Sequence, residues 1–255
     1  AGADVVGKLR DSELAPATSN RHIAAVRGVL RQCLLLGLID SDTWMRVKET
    51  KRVAGSRRIQ GRALSENDVG ALLKACDTAT VRGARDAAMI VLLYACGLRR
   101  DEAANALIRN YDSDDESITI VGKRNKERIV FVRGAAKDVI DHWLHVRSHV
   151  KLPTILASTD SRGDLDAVPK SITGSALLHA CVRLARAAGV KAFACHDLRR
   201  AFATHHFDRG VDIFLVQRAM GHNSSDTTGR YDMRKEREQK KIAGTVPFPV
   251  KLPAK

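Results

Sequence analysis

Three segments of this 255-residue chain carry polar side chains where chemistry, rather than packing, would use them. In LLYACGLRRDEAANAL, Arg99 and Arg100 follow an apolar run and the Gly97 turn. Arginine is a poor first-turn residue because it opposes the helix dipole, so its presence points to an anion in front of it. In CHDLRRAFATHH, His196 and Arg199 are three residues apart and share one helix face. Together they can donate hydrogen bonds to a single phosphate, although a satisfied histidine at a helix start is the competing structural reading. In MGHNSSDTTGRY, His222 follows Gly221, and Tyr231 is one of three tyrosines in the chain. Taken alone, Tyr231 reads as a surface or edge packing residue. Cys195 beside His196 suggests a thiol nucleophile, but no orienting pattern accompanies it. His205 and His206 suggest a metal, but adjacent histidines point to different sides of a helix. No D-x-D or H-E-x-x-H cluster is visible, so neither a metal nor another cofactor is expected.

The elements that must position these groups are mostly helical. Ile23, Val26, Val29, Leu30 and Leu34 recur at helical spacing after Thr18-Ser19-Asn20, with Gly37 as the stop. Lys48–Arg62 holds six basic residues and one acidic, with little apolar periodicity, and reads as an interdomain linker. A solvated charge run and a linker touching phosphates are both open readings of it. Ser65 and Asp68 form a capping-box pattern that opens a helix through Cys76. Gly83–Cys96 reads as a buried helix capped by Gly97, and Arg99–Leu107 as another helix. SITIV (Ser117–Val121) and RIVFV (Arg128–Val132) read as a hairpin around Gly122–Glu127. Ala135–His149 is helical, Leu152–Lys170 is a loop, and helices return at Gly174–Ala188, Asp197–Asp208 and Asp212–Ala219. The expected fold class is therefore mainly α with a small antiparallel β-sheet, an α+β chain. Met233–Ala243 is a charged potential helix, and Pro247–Val250 is an apolar extended stretch.

Composition limits the partners. Lysine and arginine number 43 against 29 acidic residues, a formal net charge of +14. Both parts are basic, with 11 basic against 6 acidic residues before residue 61. A polyanion is the first partner to consider, nucleic acid ahead of an anionic membrane surface. At 44% hydrophobic residues the chain can build a core, which excludes whole-chain disorder. No apolar run approaches the roughly 20 residues of a membrane span. The start has no signal-peptide pattern and no initiator Met, and reads as that of a fragment. Five cysteines, odd in number and without a CxxC, fit reduced thiols and a cytoplasmic location.

Taken together, the segments resemble the tyrosine recombinase family of phage integrase type. Cys96-Gly97-Leu98-Arg99-Arg100-Asp101-Glu102 matches the family's first arginine box. Gly122-Lys123-Arg124-Asn125-Lys126-Glu127-Arg128 matches its hairpin lysine pattern, and His196-Asp197-Leu198-Arg199 its His-x-Leu-Arg box, followed by Ala201–His205. Met220-Gly221-His222 stands for its Leu-Gly-His, and Tyr231 follows nine residues after that histidine. Two departures are small: Arg200 where many members have His, and Met220 where Leu is usual.

The resemblance implies a site-specific DNA recombinase or integrase that cuts and rejoins strands without metal, through a covalent 3′-phosphotyrosine. In it Tyr231 is the nucleophile, and Arg99 and Arg199 grip the non-bridging oxygens. His196 and His222 add donors, and His196 is also a candidate proton acceptor for the phenol. Lys123 protonates the leaving 5′-oxygen, with Lys126 as the competing candidate. Glu102 orients the arginine and the histidines. Arg57 and Arg58 of the linker, and Lys126 of the hairpin turn, are candidate DNA contacts. The implied partners are double-stranded DNA and further copies of the chain in a tetrameric synapse, with the tail packed into a neighbouring protomer. The implied layout is a partial helical core-binding domain over 1–56, a basic linker over 57–62, a catalytic domain over 63–245 and a tail over 246–255. The earliest helices of the first domain are expected to be absent or truncated. Rival functions are a type IB topoisomerase-like enzyme and a non-cleaving DNA-binding protein of the same fold. Affinity for duplex DNA is expected to fall steeply with salt, since phosphate neutralisation releases counterions. A salt titration that left binding unchanged would contradict this reading of the charge.

Overall fold

The computed structural model describes residues 8, 14–55, 61–122 and 127–221. The chain divides into two compact units, residues 1–60 and 61–255. The basic residues Arg57 and Arg58 and all residues after Gly221, including the potential helix Met233–Ala243 and the tail, lie outside the described residues.

The first unit contains α1 (Pro16–Leu35) and α2 (Ser41–Glu49). Helix α1 begins before the Thr18-Ser19-Asn20 signal, because Pro16 supplies a first-turn φ at no hydrogen-bonding cost. Asn20 is used elsewhere: its side-chain amide donates to Val53 O and accepts from Val53 N, both at 2.9 Å. Ile23 and Val47 form the small core, with Val26, Leu30 and Val53 packed on it, while Val29 of the expected apolar stripe is exposed. Helix α2 has no counterpart in the sequence expectation. Asp40 caps it by accepting from Thr43 N at 2.6 Å.

The second unit carries the larger core. Its helices are α3 (Glu66–Lys74), α4 (Val81–Ile90), α5 (Arg100–Asn105), α6 (Ala135–Val146), α7 (Gly174–Ala187), α8 (Cys195–Asp208) and α9 (Ile213–Met220). The capping box of α3 is present, with Ser65 and Asp68 each bonding the other's backbone N–H. Helix α4 is buried from Gly83 to Ile90, and the two charged residues of that stretch, Arg85 and Asp86, are paired at 2.8 Å. It does not stop at Ile90 but widens into a π-helical turn, Val91–Ala95, where Cys96 N reaches back to Val91 O. That turn packs on α8, and α4 itself packs on α6.

The sheet has the order β1-β2-β3, all antiparallel. Strands β2 (Ser117–Val121) and β3 (Glu127–Phe131) form the expected hairpin, in register from Ser117↔Phe131 to Val121↔Glu127. Strand β1 (Tyr111–Asp112) is too short to have a sequence signal. Ile118, Ile120 and Val130 face the core, while Val121, Ile129 and Phe131 stand on the open face. The long Leu152–Lys170 loop is tied down by Arg147, buried, whose guanidinium donates to the carbonyls of Leu152, Thr154 and Ile155. A second cluster of Phe202, Ala203, Phe207, Val216 and Met220 joins α8 to α9.

Gly97 closes the π-helical turn at φ +60°, and Leu98 N returns to Leu92 O at 3.0 Å. A Cβ at Gly97 would stand 2.8 Å from the Phe202 ring. Both constraints act at once, so Gly97→Ala is expected to cost about 2–4 kcal/mol of stability, from left-handed strain plus overpacking. Thermal unfolding of the variant measures it, and an unchanged melting temperature would show that the turn is not constrained in this way.

Candidate active site

The centre of the second unit is one carboxylate. Glu102 sits in the first turn of α5, and its side chain is 8% exposed. Its Oε2 accepts the Arg99 backbone N–H at 2.8 Å, the reach-back half of a capping box. The Arg99 Nη1 donates to Oε1 at 2.7 Å. The anion that an arginine at a helix start calls for is therefore supplied first from within the same turn. Arg128 on β3 adds two bonds, Nη1 to Oε1 at 3.1 Å and Nη2 to Oε2 at 2.7 Å. Arg199 on α8 brings its Nη1 within 3.8 Å of Oε2. Burial alone raises the carboxyl, but the hydrogen bonds and charges of Arg128 and Arg99 outweigh it and hold it at about 2.

The same three arginines hold the end of α9. Arg128 Nε donates to Ala219 O at 3.0 Å, Arg199 Nη2 to Met220 O at 2.8 Å, and Arg99 Nη2 to Gly221 O at 2.9 Å. Three consecutive carbonyls at the negative end of a helix thus each take a different cation. Gly221 caps the helix at φ +63°, and a Cβ there would lie 2.9 Å from Arg128 Nη1. Arg199 also donates to Gly97 O, which ties α8 to the turn before α5. Arg199 is 1% exposed, whereas the Arg99 side chain is 39% exposed. A cleft of about 1240 Å³ opens beside the cluster, lined by Arg99, Arg128, Ile129, Phe131, Leu215 and Arg218 among others.

His196 lies in the first turn of α8 and is exposed. Partial desolvation, then the charges of Arg200 and Arg199, lower its pKa from the ordinary 6.5. Arg200 is buried and pairs with Asp197 at 3.0 Å, part of the packing at the helix start. His205 is buried, with Nδ1 2.8 Å from the Tyr94 hydroxyl, and His206 Nδ1 is 2.7 Å from Phe202 O. The two adjacent histidines thus face different partners. Among the described residues, no group of three His, Cys, Asp or Glu could hold a metal ion.

Arg99, Glu102 and Arg199 are thus brought together, with His196 at the start of the same helix as Arg199. Lys123, Lys126, His222 and Tyr231, together with Arg57 and Arg58, lie outside the described residues. Gly221 is described, so the backbone immediately before His222 is anchored to all three arginines through carbonyls 219–221. Arg128 has no role in the sequence expectation. Its signal is its place at the end of the Gly-Lys-x-x-Lys-x-Arg pattern, where a strand position reads as solvated but holds an arginine whose side chain is only 12% exposed.

Comparison with known proteins decides the family. The model of the phage integrase family matches residues 62–238. The chain belongs to this family, the tyrosine recombinases. It is 30% identical over 225 residues to tyrosine recombinase XerD of Pseudomonas putida, covering 87% of this chain and 72% of the relative. It is 29% identical over 237 residues to XerD of Listeria monocytogenes, covering 90% and 76%. Its fold is similar to that of XerA recombinase, with TM-score 0.59 at 19% identity over 97% of this chain and 90% of that one. A lambda integrase dimer bound to a COC′ core site superposes with TM-score 0.60 at 15% identity, covering 93% and 63%. The chain is thus a tyrosine recombinase by family, and no helix among the described residues is long and apolar enough to cross a membrane.

Removing the Glu102 charge leaves three buried or half-buried arginines facing one another. Glu102→Gln is expected to cost about 3–5 kcal/mol, the cost of breaking a buried ion pair from one side. The wild-type carboxyl titrates near 2 in the folded chain against 4.5 when free. Its contribution is therefore complete above the ordinary value and is lost as pH falls from there toward 2, about 3 kcal/mol in all. Urea melts of the two proteins between pH 2 and 7 should converge at the acid end. Parallel curves would show that Glu102 is not the group responsible.

Proposed function

We propose that this recombinase cuts and rejoins duplex DNA through a covalent 3′-phosphotyrosyl intermediate, with side-chain cations in place of a metal. The observation that carries the reading is the set of three arginines that share Glu102 and hold the backbone next to His222. A scissile phosphate needs cations fixed before it arrives, because orientation is then not lost during reaction. Arg99, the more open arginine, meets a non-bridging oxygen first. Arg199 follows by exchanging its carbonyl contacts for the second oxygen. Tyr231 attacks phosphorus and displaces the 5′-oxygen, which takes a proton from Lys123, with Lys126 as the competing donor. His222 donates to the phosphate. His196 accepts the phenolic proton, a role its lowered pKa suits because the ring stays neutral at pH 7. Glu102 and Arg128 keep the cations and the α9 end in one arrangement.

The structural relatives include lambda integrase as a tetramer bound to a Holliday junction and XerH recombinase bound to palindromic difH. By analogy this chain acts on double-stranded target sites as a tetramer, with its 246–255 tail packed on a neighbouring protomer. Arg57 and Arg58 contact phosphates from a linker between a 1–56 helical core-binding part and a 63–245 catalytic part.

The test works with an unidentified target sequence. A library of randomised duplexes with a nick beside each candidate cleavage position is incubated with the protein, and SDS-stable adducts are isolated and sequenced. Wild-type protein should select one motif, and Tyr231→Phe should yield no adduct. Two selected sites should then exchange strands, whereas a topoisomerase-like enzyme would only relax supercoils. Binding without any adduct would favour a non-cleaving protein. Arg199→Ala should lower the cleavage rate about 10²–10³-fold. The acid limb of the rate profile should lie below pH 6.5 and disappear in His196→Gln, since protonation removes the acceptor. A limb unchanged in that variant would assign the titration to another group.

A further inference from the structure

Cys195 is the first residue of α8 and immediately precedes His196. Cys181 lies in the middle of α7. Both are buried, and their sulfurs stand 3.6 Å apart. The other three cysteines differ. Cys76 and Cys96 are isolated in the core, where burial pushes each thiol up to about 12, and Cys33 is half-buried in the first unit. The sulfur–sulfur hydrogen bond lowers the Cys195 thiol, helped by a backbone N–H at the helix start and by Arg100 and opposed by burial and Asp101, and it raises that of Cys181. A cysteine at a helix N-terminus beside a cation is the setting in which thiolates form. Here it has a second thiol in contact. Cys195 is 3% exposed, and its chain neighbours Ala194 and His196 are half-buried and exposed.

We propose that Cys181 and Cys195 are an oxidation site: a hydroperoxide joins them in a reversible disulfide that disables the adjoining phosphate site. The Cys195 thiolate attacks the peroxide, the O–O bond breaks, and the sulfur becomes a sulfenic acid as the distal oxygen leaves and is protonated. The Cys181 thiol then attacks that sulfur, the S–S bond forms, and water leaves. The two sulfurs together lose two electrons, and the peroxide gains them. Disulfides of this kind in a reducing compartment are transient and redox-sensing.

The effect on the site follows from distance. A disulfide needs sulfurs about 2.05 Å apart, so the pair must close by about 1.5 Å. Side-chain rotation absorbs part of this, and the first turn of α8 takes up the rest. That turn carries His196, and Arg199 lies one turn further along the same helix. A displacement of about 1 Å in a positioned group costs on the order of 10²-fold in rate. The bond itself stands on the sulfur geometry, whereas its effect on DNA rests on the function proposed above.

The test uses the full chain, reduced and then exposed to graded hydrogen peroxide, alkylated under denaturing conditions and mapped as peptides without reduction. The expected map links Cys181 to Cys195 while Cys76 and Cys96 remain alkylated. Covalent adduct on the selected DNA should fall about 10–100-fold in parallel and recover with dithiothreitol. Cys181→Ser should form no linked peptide and keep its cleavage through the treatment. Absence of the linked peptide at doses that oxidise Cys33 would overturn the proposal. So would a linked peptide with undiminished cleavage, or equal loss in Cys181→Ser. If that variant does not fold, the wild-type map with its recovery by dithiothreitol decides. Reduced protein that forms no adduct on any DNA would instead sink the recombinase reading and the effect on DNA, while the peptide map still decides the bond.

Discussion

The constraint on which the rest depends is the placement of a single buried carboxylate. Three arginines from three elements share Glu102, and an isolated guanidinium in their position would be expensive to bury. Because each arginine also needs acceptors for its remaining donors, each finds one of the last carbonyls of α9. This explains why α5 and β3 must converge on one point with the α8–α9 pair, which follows them by more than 60 residues. The hydrophobic core gives the elements their faces, but the ion cluster decides how their ends meet. It also explains the two glycines that bracket the cluster. Gly97 and Gly221 both adopt positive φ at helix ends, and each lies so close to a neighbouring side chain that a Cβ would not fit.

Much of this was legible in the sequence because it was costly. Arg99 at a helix start opposes the helix dipole, so it stood out, whereas Gly221 is the residue a helix C-terminus prefers. The capping box at Ser65 and Asp68 and the alternation in Ser117–Val121 were legible for the opposite reason, since local rule and structure agree there. Arg128 was not separable from a solvated strand residue, because its burial depends on α9 arriving from 91 residues away. The π-helical turn at Val91–Ala95 has no compositional mark that distinguishes it from the α-helix it extends. The start of α1 misled for a physical reason: Ser19 and Asn20 look like caps, but Pro16 begins the helix, and the Asn20 amide serves a tertiary contact at Val53. Helix α2 is short, and its single buried residue, Val47, leaves no periodicity to read.

Charge balance around Glu102 links this architecture to reactivity. Three guanidinium groups face one carboxylate and the C-terminus of α9, whose dipole is worth roughly half a negative charge. The remaining surplus is about one and a half positive charges within a few ångströms, partly shielded from water. Opposite charge there is favoured more strongly than on the open surface, where salt would screen it. A phosphodiester carries one negative charge, and a pentacovalent phosphorus centre formed by phenoxide attack carries about two. The preset field therefore falls between the two states and favours the second, which is the condition for speeding a reaction rather than only binding its substrate. Desolvation first, then the charges of Arg200 and Arg199 and more weakly Arg99, lower the His196 pKa. In the proposed reaction the net charge of +14 draws DNA to the whole chain, and the uneven balance around Glu102 makes one phosphate on that DNA reactive.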